Sequence, residues 1–205
     1  MKAIEWLKAG WRVFAANPVQ LILGFLIFAV LSGALEVVNS ALGVDSGLLH
    51  AIQMIIGPAV FVGWALFCLR TVRGEQLAAT RVFDGFSFFV PAFITGILVG
   101  ILAGIGFVLL IVPGVIVVLV FSMWAFGVGD QRLGTIGALK YSMQITKGHR
   151  LDLFVAWIIG VVLAIIAAIP LGLGLLIVGP WLGATYAIAY EDLAGGTVVQ
   201  SAIVE

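Results

Sequence analysis

Charged side chains are scarce in this chain: ten Lys or Arg and ten Asp or Glu among 205 residues. Cysteine is scarcer still. Cys68 stands alone, which excludes a disulfide framework and a thiolate metal site. The two histidines, His50 and His149, fall in segments that the charge pattern places on opposite sides of a membrane, so they cannot share a site. No H-E-x-x-H, no G-x-S-x-G and no pair of intramembrane aspartates occurs, and Gly74 and Gly85 belong to no phosphate-cradling loop. These gaps leave no catalytic, cofactor-binding or metal-binding residue to name, and the chain reads as non-enzymatic. Nor is there a basic groove interleaved with stacking aromatics, so nucleic acid is not an expected partner.

Apolar surface is what the chain has in abundance. Hydrophobic residues make up 63% of it, and the mean hydropathy is +1.25. A soluble fold of this length cannot bury so much, so lipid must be its solvent. The basic residues fall in three clusters: Lys2, Lys8 and Arg12; Arg70, Arg73 and Arg81; and Arg132, Lys140, Lys147 and Arg150. The other gaps between apolar stretches carry no Lys or Arg. This is the positive-inside signature of a polytopic protein with both termini cytoplasmic, expected in a bacterial inner membrane. The basic segment 1–16 does not read as a cleaved leader, because the apolar run after it is longer than the ~7–15 residues of a leader's core.

Lengths then thread the chain. Residues 19–38 and 51–69 each suffice for one helical crossing at ~1.5 Å per residue against a ~30 Å hydrocarbon core. Phe88 to Gly129 runs 42 residues without a charge. As one helix it would be ~63 Å long, twice what the bilayer holds, so it must turn. Val112-Pro113-Gly114 supplies the bend, Pro by removing a donor and Gly by permitting a tight turn. Leu153 to Tyr190 repeats the situation, with its turn expected between Pro170 and Pro180. The expected fold is all-α: one integral membrane domain over 1–193, with six transmembrane helices as three hairpins. The spans are about 19–38, 51–69, 90–111, 114–129, 153–171 and 174–190, followed by a short cytoplasmic tail at 194–205.

An amphipathic interfacial helix is expected before each hairpin. In the first, Ile4, Leu7, Trp11 and Phe14 share a face opposite Glu5, Lys8 and Arg12. In the third, Ile136, Leu139, Met143 and Thr146 oppose Lys140 and Lys147. The second is less regular, with Phe83 and Phe86 beside Arg81 and Asp84. Helices of this kind lie in the headgroup layer, so the bilayer and its anionic headgroups are the expected partners, gripped by Lys8, Arg12, Lys140 and Lys147. The alternative is that these helices simply cap the bundle. The segments IIGP (55–58), IVPG (111–114) and IVGP (177–180) suggest either a threefold repeat or coincidence in a chain with 26 glycines.

Inside the spans, Gly96, Gly100 and Gly104 form a GxxxGxxxG run that admits close helix packing, within the chain or against a second copy in a homo-oligomer. Gly179 and Gly183 offer a shorter version. Trp64, Trp124, Trp157, Tyr186 and Tyr190 read as an interfacial aromatic belt. Intramembrane polar candidates are few. Glu36, near the outer end of the first span, could gate or ligate an ion, and Gln53 could bond a neighbouring backbone. With no acid near the midplane, proton- or sodium-coupled transport is disfavoured.

A further pattern is visible. Arg73-Gly74-Glu75, Phe83, Gly85, Phe86 and Ile-Val-Pro-Gly (111–114) are joined by Asp130, Ala138-Leu139-Lys140, Ser142 and Thr146 to Arg150. With Pro180 and Tyr190-Glu191-Asp192-Leu193, the set resembles a diffuse superfamily of bacterial integral membrane proteins over most of residues 1–193. That superfamily includes the membrane region fused to some glycerophosphodiester phosphodiesterases. The resemblance implies a six-helix inner-membrane protein. No hydrolase domain is attached, so it implies no phosphodiesterase activity. The expected role is a non-enzymatic protein that packs in or organises the cytoplasmic leaflet, with or without a membrane partner. The alternative is a small-solute or lipid transporter with a cavity between hairpins.

Overall fold

The computed structural model describes residues 2–42, 47–76, 78–169 and 172–195, with the side chains of 34–42, 48 and 49 outside the description. Among the described residues the chain is all-helical, with nine α-helices and one 3₁₀ helix. They run α1 (Lys2–Ala16), α2 (Pro18–Leu42), α3 (Gly47–Val72), the 3₁₀ helix (Ala79–Phe88), α4 (Phe89–Leu109), α5 (Ile111–Val120), α6 (Trp124–Gly129), α7 (Thr135–Ile145), α8 (Arg150–Ala168) and α9 (Leu175–Leu193).

Four stretches are long and apolar enough to cross a membrane: His50–Val72, Ala79–Leu109, Ile111–Gly129 and Arg150–Ala168. A fifth results if α1 and residues Pro18–Gly33 are one span bent by 100°. The bend falls at Asn17-Pro18, since a residue before proline is pushed out of helical geometry while proline itself suits a first helical turn. By length and composition the count is therefore four or five among the described residues, not six. α9, like α8, is 19 residues long, but Pro180, Trp181, Thr185 and the closing Tyr190-Glu191-Asp192 dilute its aliphatic content.

The turn expected at Val112–Gly114 lies instead at Leu110, whose extended backbone separates α4 from α5. Pro113 falls in the first turn of α5, where a missing N–H costs little. The fold-back is tight because Gly106 faces Gly114. A Cβ on Gly106 would sit 2.9 Å from the Gly114 Cα. The three proline motifs do not occupy equivalent places: Pro58 lies deep within α3, Pro113 in the first turn of α5 and Pro180 inside α9.

A second break, at 121–123, separates α5 from α6 inside one apolar stretch. Backbone groups freed there have no water to turn to and must be met by the protein. α7 meets them. The Ser142 hydroxyl donates to the Val120 carbonyl at 2.8 Å and accepts from the Met123 amide at 3.2 Å, while Thr146 also donates to Val120, at 3.3 Å. This changes which side of α7 is buried. Ala138, Leu139, Ser142 and Thr146 turn inward, whereas Ile136 and Met143, expected on the apolar face, point out. Small hydroxyl side chains win because they reach the broken backbone and let it come close.

The other two short helices are rotated from expectation as well. In α1, Ala3, Trp6, Leu7, Gly10 and Phe14 are buried. Gly10 lies against Thr185 of α9, and the Trp181 indole donates to the Leu7 carbonyl at 2.9 Å. Ile4 and Trp11 face outward, each 46% exposed. In the 3₁₀ helix, Val82 and Gly85 turn inward and Phe83 and Phe86 outward. A Cβ at Gly85 would collide with the Ala59 carbonyl and the Gly63 backbone, so this glycine is what lets the helix lie directly on α3.

Candidate functional site

Two arrangements stand out, a charged cluster at one end of the bundle and an aromatic cavity beside it. The cluster begins with how α3 stops. Gly74 takes a left-handed φ of 84°, the Glu75 amide donates to the Arg70 carbonyl at 3.0 Å, and the Gly74 amide donates to Thr71 at 3.0 Å. This is a Schellman ending, for which glycine is suited because it lacks a Cβ. Arg73, just before it, forks onto Asp130 after α6. Its Nη1 donates to Oδ1 at 2.6 Å and its Nη2 to Oδ2 at 3.0 Å. Its Nε donates to Glu191 Oε1 of α9 at 2.7 Å. Asp130 also accepts from the Tyr190 hydroxyl at 2.8 Å and from Gln131 at 3.1 Å. The Tyr190 ring stacks on Phe126 with centroids 4.5 Å apart.

Further ion pairs adjoin this one on the same helices. Asp192 accepts from Lys2 at 2.9 Å and from the Trp6 indole at 3.1 Å, tying α1 to α9. Arg70 donates to Asp84 at 2.6 Å, tying α3 to the 3₁₀ helix. The first two basic clusters of the sequence and the acids at the ends of α6 and α9 are thus joined. Burial pushes the Asp130 carboxyl up, but its bonds from Arg73, Tyr190 and Gln131 outweigh this and hold it below the usual carboxylate value. The Asp130 bonds raise the Arg73 pKa, opposed by partial burial and reinforced by Glu191. The cluster is a clamp in which Arg73 at the end of α3 holds two carboxylates, from the ends of α6 and α9.

The cavity has a volume of about 480 Å³ and is bounded by α2 to α6, α8 and α9. Half of its lining is aromatic, including Trp64, Phe121, Trp124, Phe126, Trp157 and Tyr186. This corrects the reading of an interfacial belt for Trp64, Trp124 and Tyr190, while Trp157 is exposed. Trp64 and Trp124 are only 6% and 8% exposed and look inward, and Tyr190 is fully buried. Counting residues from a charged boundary gives depth along a helix but not the direction a ring faces.

The remaining sequence candidates fall as follows. Lys8 and Arg12 are exposed on α1 and share a shallow groove of about 300 Å³ with Ile4, Leu7, Trp11 and Trp181. Lys140 and Lys147 are exposed on and just after α7, away from that groove. Of the three glycines, only Gly96 packs within the chain, where a Cβ would lie 2.7 Å from Pro58. Among the described residues Gly100 and Gly104 have nothing within 4 Å of a Cβ, so close packing against those residues is not what they serve. Gly179 and Gly183 do pack, against Phe25 and against Trp64 and Cys68. Gln53 does not bond a neighbouring backbone through its carbonyl: Oε1 is buried and unpartnered among the described residues. The Glu36 side chain and Asp45 lie outside the described residues.

Reading the residues singly missed that Arg73, Asp130 and Glu191 meet. They are 57 and 118 positions apart along the chain, and only their shared presence in the family-like motif set signalled a connection. Comparison of the chain with protein-family models, with characterised proteins and with solved structures finds no match.

Proposed function

We propose that this chain is a non-enzymatic protein of the bacterial inner membrane, with both termini cytoplasmic, that packs in and organises the cytoplasmic leaflet. One observation carries the reading. α1 turns 100° from the helix that follows and presents Ile4 and Trp11 outward beside Lys8 and Arg12. A helix so placed lies along a membrane surface, with rings in the acyl boundary and cations at the headgroups. Six crossings as three hairpins fit this reading. α8 starts at Arg150, and α9, of equal length at 19 residues, ends by placing Glu191 and Asp192 beside Arg73 and Lys2. The meeting of Arg73, Asp130 and Tyr190-Glu191-Asp192 also supports membership of the six-helix superfamily that these residues resemble.

The test uses the full chain in detergent. Anionic phosphatidylglycerol should raise its thermal midpoint more than phosphatidylcholine does. Lys8→Gln with Arg12→Gln should remove that difference, at about 1 kcal/mol for each cation lost. An equal response of the parent chain to both lipids would overturn the reading. The cavity between hairpins favours a second reading, transport of a small solute or lipid. The apolar lining of that cavity favours lipid over a hydrated solute.

A further inference from the structure

The aromatic cavity is within the usual size of a small-molecule site, ~300–1,000 Å³, and its chemistry narrows the occupant. No Asp, Glu, Lys or Arg lines it, so a charged ligand would enter without a counter-charge. The lining does hold donors. The indole N–H groups of Trp64 and Trp124 and the Tyr186 hydroxyl have no hydrogen-bond partner among the described residues. A donor with no acceptor in the protein gains a bond from a ligand carrying a carbonyl oxygen.

Position narrows it further. Trp64 lies six residues before Arg70, Trp124 six before Asp130 and Tyr186 five before Glu191. At ~1.5 Å per residue these groups sit about 8–9 Å inside the charged end, the depth of ester groups and upper acyl chains in one leaflet. Toward that end the way is closed. Phe126 lines the cavity and stacks on Tyr190, which is bonded to the clamp formed by Asp130 and Arg73. A ligand dissolved in the membrane needs no such passage.

We infer that the cavity is a binding site for a neutral, membrane-dissolved lipid. Its carbonyl, with two lone pairs, accepts from donors among Trp64, Trp124 and Tyr186, and its apolar body lies among the rings. An acylglycerol and an isoprenoid quinone share this chemistry. The site does not depend on whether α1 lies in the leaflet, so the lipid-response test above and the following one fail separately.

The full chain is titrated in detergent with decyl-ubiquinone and, separately, with a monoacylglycerol brominated on its chain. Both probes quench tryptophan fluorescence. Saturable quenching near one probe per chain is expected with at least one of them, and the probe that saturates names the source. Tyr186→Phe removes one donor without adding bulk and should weaken binding about fivefold. Val99→Phe, on the α4 wall, should abolish the saturable component. Quenching that rises linearly and equally in parent and both variants would show partition alone and overturn the assignment. So would tighter binding of a brominated fatty-acid carboxylate than of the neutral probes, because the lining carries no cation for it. Should Val99→Phe fail to fold, the comparison of parent with Tyr186→Phe decides.

Discussion

Arg73 engages two acids at once, and its bond to Asp130 can be removed by mutation or by acid. Asp130→Asn keeps a group that Tyr190 can still donate to but removes the negative charge that receives the guanidinium fork. A fully buried pair broken this way loses ~3–5 kcal/mol. The Arg73 side chain is 34% exposed, so solvent screening should reduce the loss to about 2 kcal/mol, read as a lowered thermal midpoint in detergent. Acid acts on the same bond. The folded chain holds the Asp130 carboxyl below its ordinary value, so as pH falls the unfolded chain takes up the proton first. The stabilisation is whole above about pH 4 and is lost as pH falls through the lower folded value. The parent should therefore lose more stability across that acidic window than Asp130→Asn does. Identical acid profiles would show that the fork contributes nothing.

Among the described residues helices meet closely at glycines such as Gly85, Gly96 and Gly183 but not at Gly100 and Gly104. Gly85→Leu should force the 3₁₀ helix off α3, since even a Cβ would collide with backbone there, and should cost about 3 kcal/mol or more. Gly100→Leu meets open space and replaces a poor helix former, so the folded monomer should keep its thermal midpoint or gain up to about 1 kcal/mol. If Gly100→Leu instead lowers both the midpoint and the oligomer mass, a second copy is seated on that face. The contrast bears on what a sequence of this kind reveals. Helix ends were legible to within a few residues, as where α4 begins at Phe89 and where the turn expected at 112–114 falls at Leu110, because chain length against bilayer thickness is a constraint along one dimension. Which side of a helix faces the protein was much less legible. The long apolar helices are hydrophobic all round, so no stripe separates a ring that faces lipid from one that faces a cavity, and Trp64 and Trp124 were misplaced for that reason. In α7 the buried side was chosen by the hydrogen-bonding need of a break in another helix, which no local periodicity records.

Across the whole molecule, the charged clamp gathers the ends of α1, α3, α6 and α9, so a six-crossing chain with those ends cytoplasmic makes a direct prediction about threading. A reporter active only after export should be silent when fused after Glu205 and active when inserted near Asp45. Export of the C-terminal fusion would leave α9 on the surface and end the six-span reading. The hydrogen bonds around the 121–123 break carry a different consequence, one of timing. The Val120 carbonyl waits for a donor 22 residues later in the chain and a second one 26 residues later. As the chain is made, Ser142 and Thr146 always emerge after the Ile111–Gly129 stretch that they complete. Until α7 folds back, the Val120 carbonyl and the Met123 amide lack these partners, so the break is completed only when α7 docks.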